Sequence, residues 1–256
     1  MPHPALLDTA HRPFPLPQRG WSLSMHWADL LFLHWRVPAS VLRPHLPAGL
    51  ELETFDGSAW LGVVPFRMVD TRFRYLPRLP TAHTFPELNL RSYVRHGDRA
   101  GVWFWSLDAH SRLTVEGARL SFGLPYFQAR MACTRDGERV DYRSERVDRR
   151  GPAARFRASW RSRGEGVPAG PGTLEHWLVE RYCLFAQRRG RLVCGEIAHP
   201  PWRLAPAELQ LAECDMGRLV GVEFATPPDS VLAAMPIDVV AWSPVGVGAQ
   251  GSHIRS

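Results

Sequence analysis

Two pleated runs joined by a turn stand out between Phe85 and Ala109: FPELNLRSYV and VWFWSLDA, with RHGDRAG between them. Side chains leave a strand alternately on its two faces. Glu87, Asn89 and Arg91 therefore share one face, and Leu88 and Leu90 share the other. Three hydrogen-bonding groups in a row, two of them oppositely charged, have two readings beside an apolar partner strand. Facing inward they mark a pocket; facing outward they are an ordinary solvated surface.

The same alternation runs through most of the chain. LLFLHWRV is a short apolar strand stopped by Pro38, with Arg36 at its end. PASVLRPHLPAGL predicts a helix of a turn or two, limited by Pro44 and followed by Gly49. Asp56-Gly57 is a turn signal, and AWLGVVPF after it is a strand in which Pro65 suggests an edge or an end. RYLPRLPTAHTF is a Pro-punctuated loop of about a dozen residues, a candidate lid over the central hairpin. VEGARLSFGLPYF starts as a short helix and then extends. FQARMACTRDGERVDYRSERV is a hairpin about Asp136-Gly137. ARFRASWRS is a strand with an Arg row on one side, which is either a wet face or a phosphate grip.

TLEHWLVERYCLFAQRRG carries the strongest helical pattern, with Thr173 as cap, basic residues in the last turn and Gly190 after it. RLVCGEIAHPPWRL is a strand stopped by two prolines. Residues 206–225 mix helical and strand signals. The pattern predicts mostly β structure with one longer helix, in a single domain over 21–242 with a Pro-rich leader at 1–20, loose or draped on the surface, and a tail at 243–256.

Composition narrows the chemistry. All 31 basic residues among the 256 are arginine, so no lysine is present. No side chain can form an imine with a carbonyl substrate, which excludes pyridoxal phosphate attachment and Schiff-base catalysis. The formal charge of +6 accompanies a chain rich in Ala, Pro and Gly, as expected from compositional drift. Without an RNP-type motif or zinc-finger spacing it does not call for a nucleic-acid partner. Cys133, Cys183, Cys194 and Cys214 form no C-x-x-C pair and read as reduced thiols of a cytoplasmic protein. No apolar run reaches membrane-spanning length, and the first residues lack the apolar core of a signal peptide. Nucleophile-elbow, Walker, Rossmann and zinc-protease motifs are absent, so the sequence calls for no cofactor and no metal.

The remaining candidates are few. Arg36 and Arg91 can each hold a carboxylate through two parallel hydrogen bonds, or each can simply pair with Glu87. Tyr126, in GLPYF, either donates to a developing oxyanion or packs with its hydroxyl satisfied. His199, before Pro200-Pro201-Trp202, reads as a hydrogen-bonded core or turn histidine.

FLHWRVPASVLRPHLPAGLELETFDGSAWLGVVPF, FPELNLRSYV, GVWFWSLDA, ARLSFGLPYFQARM, LVERYCLF and AHPPWRL occur in this order between about residue 25 and residue 215. Together they resemble the DUF2071 (YqjF-like) family, which is similar in fold to the acetoacetate decarboxylase superfamily. That resemblance implies an α+β, mainly β domain: a barrel-like antiparallel sheet around a closed pocket. It places Arg36 at the position of the substrate arginine and Glu87 at that of a hairpin glutamate. In GARLSFGLPY, Tyr126 stands where the decarboxylases carry their imine-forming lysine. The pocket frame is expected without the Schiff-base reaction.

Two classes of function follow from the resemblance. In the first, an enzyme without Schiff-base chemistry acts on a small keto- or hydroxy-carboxylic acid by lyase, hydratase or tautomerase chemistry. Glu87 and Tyr126 would then be catalytic, and Arg36, Asn89 and Arg91 would bind substrate. In the second, the same pocket is a sensor or carrier for an organic acid or apolar metabolite. Either way the expected partner is a small-molecule ligand, with no nucleic acid and no membrane. Assembly into a homo-oligomer stays open.

Overall fold

The alternating pattern resolves into strands that pair all the way round, in a computed structural model describing residues 3–75 and 83–248. In chain order the first half contains β1 (Leu23–Ala28), β2 (Leu30–Val37), helix α1 (Ala39–Leu42), β3 (Glu51–Leu52), β4 (Ala59–Phe73), β5 (Phe85–His96) and β6 (Arg99–Ala109). Helix α2 (Arg112–Phe122) leads to β7 (Tyr126–Asp136), β8 (Arg139–Arg146), β9 (Arg155–Ser162) and β10 (Val167–Pro168). Helix α3 (Leu174–Val179) precedes β11 (Cys183–Arg188), β12 (Arg191–Ala198), β13 (Arg203–Cys214), β14 (Ser230–Ala234), β15 (Ile237–Ala241) and β16 (Val245–Gly246). The RYLPRLPTAHTF segment, a candidate lid, lies largely outside the described residues.

Pairing runs β1-β15-β12-β11-β6-β7-β8-β9-β13-β14-β2-β4 and closes from β4 back to β1. Strand β5 crosses this twelve-strand circuit by pairing with both β4 and β6. The crossing divides the circuit into two closed rings that share β4, β5 and β6. One ring has seven strands, with β1, β11, β12 and β15; the other has nine, with β2, β7, β8, β9, β13 and β14. The result is mainly β and encloses space, as expected, but it is no regular barrel.

Because β5 lies between the rings, both its faces are buried. Leu88 and Leu90 enter the core of the nine-strand ring with Leu31, Val63, Phe156 and Trp160. Glu87, Asn89 and Arg91 face into the seven-strand ring, whose core includes Phe32, Phe66 and Leu107. Burying a leucine side chain is worth roughly 1.5–3 kcal/mol. A one-residue slip of β5 would exchange the two faces and drive three polar groups into the apolar core, so the pairing register is strongly specified.

Turn chemistry closes the hairpins. The Asp56-Gly57 turn has both residues at positive φ (48° and 75°), the geometry of a two-residue hairpin loop. Gly97 and Gly137 open the β5–β6 and β7–β8 turns at φ 58° and 56°. Helix α2 starts at Ser111, whose hydroxyl accepts from the Thr114 N–H, and ends at Gly123 in the left-handed region.

Several expectations change. The helix predicted over 173–189 stops at Val179, and the longest helix is α2. Beyond Arg181 the chain is a strand: Arg189-Gly190 at φ 52° and 74° is the turn of the β11–β12 hairpin, where the pattern suggested a helix end. Tyr, Cys, Leu and Phe fit a pleated surface as well as a helical stripe, and pairing with β6 and β12 decides between them. Pro65 marks neither an edge nor an end. It lies in the middle of β4, where the neighbour on one side changes from β2, last paired at Val63, to β1, first paired at Arg67. Its missing N–H costs no ladder bond there. Residues 206–225 are the rest of β13 followed by a 3₁₀ helix at Met216–Val220. The Pro-rich leader is draped: Arg12 is buried against Phe14 and Tyr182 and donates to the Ile197 carbonyl. The Arg row of β9 is a solvated face, with Arg155 and Arg161 paired to Glu213 and Glu208 of β13.

Candidate functional site

The seven-strand ring encloses a cavity of about 260 Å³. Its walls are largely apolar and aromatic, with Trp27, Phe32, Phe66 and Trp202 on one side. These four rings form one contiguous wall: Trp27 stacks on Trp202 at 5.9 Å and tilts against Phe66, and Phe32 meets Trp202 edge-on at 5.2 Å. Helix α2 covers one end. There Leu113 (66% exposed) and Phe73 (40% exposed) reach solvent, so this end is the mouth. The residues after α3 close the other end.

Glu87 is the central polar group, paired across the sheet with Phe66 and Ala109. Its carboxyl is buried, and the Tyr126 hydroxyl donates to Oε2 at 2.9 Å. Burial pushes the Glu87 carboxyl up to about 8, against the lowering effect of hydrogen bonds from Tyr126 and Asn89. At neutral pH it is therefore a neutral acid holding a proton. Tyr126 is buried too, and burial, with Glu87 beside it, raises its hydroxyl well above the usual tyrosine range. It remains a donor throughout the physiological range. Asn89 gives its N–H to Glu87 and leaves its own buried Oδ1 without a protein partner, available to a donor on a ligand.

Arg91 lies two pleats along the strand. Gly62 makes room for it: a Cβ there would stand 3.3 Å from the Arg91 Cγ and 3.1 Å from the His34 ring. A bulge in β6 at Trp105, opposite Leu90 and Arg91, adjusts the local twist. The guanidinium lies 5.2 Å over Phe32 and 5.5 Å over Tyr93, and Nη2 donates to the Leu178 carbonyl at 3.0 Å. Nη2 also reaches the Tyr93 hydroxyl at 3.4 Å, and that hydroxyl is 2.6 Å from His34 Nε2. Arg91 only donates, so the Tyr93 oxygen accepts from it, and the neutral His34 ring either accepts the Tyr93 hydrogen at Nε2 or donates from Nε2 to the same oxygen, according to its tautomer. Burial, with Arg91 nearby, holds the His34 pKa well below its usual value, consistent with that neutral form. The Arg91 Nε is buried with no protein partner.

A second guanidinium, Arg181, shares this closed end. It lies 5.1 Å over the Tyr93 ring and donates to the Trp177 carbonyl at 2.7 Å and to Glu53. Glu53 also holds Arg95. One carboxylate thus serves two of the three arginines, and no carboxylate among the described residues pairs with Arg91. Positive charge is in excess, and both Arg91 Nε and Arg181 Nη2 retain unpartnered buried N–H groups. An anion entering here would meet donors already desolvated and oriented.

Glu87, Asn89, Arg91 and Tyr126 therefore line one cavity. Arg36 does not join them. It points the same way along β2 as Phe32 and His34, but it is at the strand end, half-exposed over Trp60 and 3.9 Å from Asp229. His34, two residues earlier on the same face of β2, is the buried one, 2.6 Å from the Tyr93 hydroxyl. Sequence reasoning missed Arg181, because a helical reading of 173–189 hid the junction on which it sits. The Arg-Gly turn and the Tyr182/Leu184/Ala186 alternation were the available signals. His199 is buried, with Nδ1 2.7 Å from the Pro200 carbonyl, and also lines the cavity. Burial lowers its pKa to about 4. Among the described residues no group of three or more His, Cys, Asp or Glu side chains is gathered to hold a metal ion, and no helix is long and apolar enough to cross a membrane.

Comparison with known proteins agrees with this architecture. YqjF of Bacillus subtilis, an uncharacterized protein, is 39% identical over 227 residues, covering 89% of this chain and 93% of its own length. An acetoacetate decarboxylase-like enzyme from Sphingomonas wittichii RW1 superposes with a TM-score of 0.63 at 16% identity, over 94% of this chain and 100% of that one. The acetoacetate decarboxylase of Legionella pneumophila gives 0.62 at 13% identity over 95% of each chain. The enduracididine biosynthesis enzyme MppR, in complex with pyruvate, gives 0.61 at 13% identity over 93% of each. At these identities the solved structures establish a shared acetoacetate decarboxylase-like fold. The profile of DUF2071, described as an uncharacterized conserved protein, matches residues 24–238, and the chain belongs to that family.

Proposed function

We propose that this chain is a small-molecule enzyme that binds a carboxylic acid in the seven-strand ring and moves a proton with Glu87. One observation carries the reading. A buried carboxyl that is neutral at pH 7 shares a cavity with Arg91, a guanidinium that has no carboxylate partner among the described residues. Arg91, with Arg181 behind it, holds the carboxylate. Glu87 gives its proton to a carbonyl or hydroxyl oxygen of the substrate and recovers it as the reaction completes. Tyr126 keeps the carboxyl oriented and stabilises its anion once the proton has left. Asn89 accepts a hydrogen bond from the substrate. Lyase, hydratase or tautomerase chemistry on a keto- or hydroxy-acid fits these parts. Binding of pyruvate by a protein of this fold supports the choice of a carboxylate. Without a lysine the chemistry proceeds through the acid itself and no imine.

A melting-temperature screen with keto-, hydroxy- and unsaturated carboxylic acids, on the wild type and Arg91→Gln, tests the binding step. A ligand that binds only the folded state raises the melting temperature, and here the rise should vanish in the variant. Turnover of the best ligand should be constant below about pH 8 and fall above it as Glu87 ionises. Glu87→Gln should reduce turnover about a hundredfold while affinity stays within a few fold. If a ligand binds through Arg91 but shows no turnover in the wild type, the cavity is a carrier or sensor site. Its mostly apolar lining favours that second reading.

A further inference from the structure

The separation of the two working ends of the cavity limits what the substrate is. Glu87 and Arg91 are four residues apart on β5, and the extra residue of the nearby bulge lies on β6, so β5 runs regularly between them. At a strand rise of about 3.3 Å per residue, about 13 Å separates their Cα atoms. The Arg91 guanidinium stays about level with its own Cα, between Phe32 at 5.2 Å, which lies toward Glu87 in the register of β2 with β4, and Tyr93 at 5.5 Å on the other side. It is tethered by the Leu178 carbonyl, by the Tyr93 ring and by the Tyr93 hydroxyl, and Tyr93 is the next inward residue on the side away from Glu87.

A carboxylate carbon rests about 4 Å from the guanidinium carbon that holds it, and an oxygen protonated by Glu87 rests about 3 Å from that carboxyl. Roughly 5–8 Å then remains between the two ends of the bound molecule, the length of about four to six bonds. The wall along this stretch is Phe32, Val64, Phe66, Phe104, Leu107 and Trp202, which is apolar apart from Asn89. The closed end carries the Arg91 and Arg181 guanidiniums, whereas the open end mixes the exposed apolar Leu113 and Phe73 with Arg72, Thr114 and Ser121.

On the proposed function, we infer that the substrate is an amphipathic monocarboxylate that enters carboxylate first, and that its reacting carbonyl or hydroxyl carbon is about four to six bonds from the carboxylate. Short α- and β-keto acids reach either Arg91 or Glu87, but not both at once. The apolar spacer packs on the aromatic wall, and any further apolar substituent extends toward α2. The substrate class is thus a remotely functionalised acid, such as a δ- or ε-keto acid or a ring acid with a distal ketone.

Calorimetric titration of the full chain with the methyl-ketone acids CH3CO(CH2)nCOOH tests the span. The series runs from pyruvate and acetoacetate through 5-oxohexanoate, 6-oxoheptanoate and 7-oxooctanoate. Each is paired with the ketone-free acid of the same length, so that the ratio of the two affinities isolates the contact with Glu87. The ratio should be about tenfold for the last three and near one for pyruvate and acetoacetate. It should collapse in Glu87→Met, while Arg91→Gln should weaken every acid. A ratio that peaks at pyruvate or acetoacetate overturns the span and leaves the carboxylate site standing. Failure of every acid to bind overturns the proposed function itself. The wild-type series decides between these outcomes even where a variant fails to fold.

Discussion

Replacing Glu87 by glutamine should change the way stability depends on pH more than it changes stability at any one acidic pH. The carboxyl is fully buried, and its pKa moves from an ordinary 4.5 to about 8 on folding, chiefly by desolvation. The folded state therefore holds a proton that the unfolded chain has released over that interval. For a raised pKa the sign is fixed: the contribution to stability is fully present below 4.5 and is lost as pH rises toward 8, with a slope of up to about 1.4 kcal/mol per pH unit. Integrated between pH 5 and pH 9 the loss is about 4 kcal/mol. Glutamine has nearly the same shape, accepts from Tyr126 through its amide oxygen, and does not titrate. Urea unfolding of both proteins, followed by tryptophan fluorescence across that range, isolates the contribution, because every other titrating group cancels in the difference. The variant should gain about 4 kcal/mol on the wild type between the two ends. A difference flat to within about 1 kcal/mol would mean that Glu87 is hydrated or paired with a cation, and would remove the basis for treating it as a neutral acid.

Two further substitutions probe the placement of the arginines. Arg36→Ala removes a half-exposed side chain paired only loosely with Asp229, so stability should change by less than about 1 kcal/mol and affinity for any cavity carboxylate should be unchanged by calorimetry. A loss of affinity comparable to that of Arg91→Gln would return Arg36 to the site. Gly62→Ala puts a methyl 3.1 Å from His34 and 3.3 Å from the Arg91 side chain, in a region already filled. It should cost about 1–3 kcal/mol in thermal unfolding and weaken carboxylate binding, and an unchanged protein would show that Arg91 does not need that position.

The local decisions were legible because they depend on neighbours in sequence. Asp56-Gly57, Gly97 and Gly137 announce hairpins by supplying backbone that other residues adopt at a cost. The error at 173–189 shows the limit: an apolar stripe followed by Arg-Arg-Gly describes a helix end and a hairpin equally well until β6 and β12 are present to pair. Pro65 was misread because the hand-over from β2 to β1 along β4 depends on strands far away in sequence.

By itself, the sequence determined that the chain is mainly β, that Glu87, Asn89 and Arg91 share a strand face, and that no lysine is present to form an imine. These follow from period, from composition and from the reactivity of single residue types. Whether that face meets water or a cavity was decided by β5 crossing between two closed rings, which buries both its sides. The same closure left Arg36 at a strand end beside solvent, brought Arg181 in from a distant junction, and desolvated Glu87 until it keeps its proton at neutral pH. Burial and mutual distance are properties of strand order, and strand order is settled only when every backbone hydrogen bond around the circuit has found its partner.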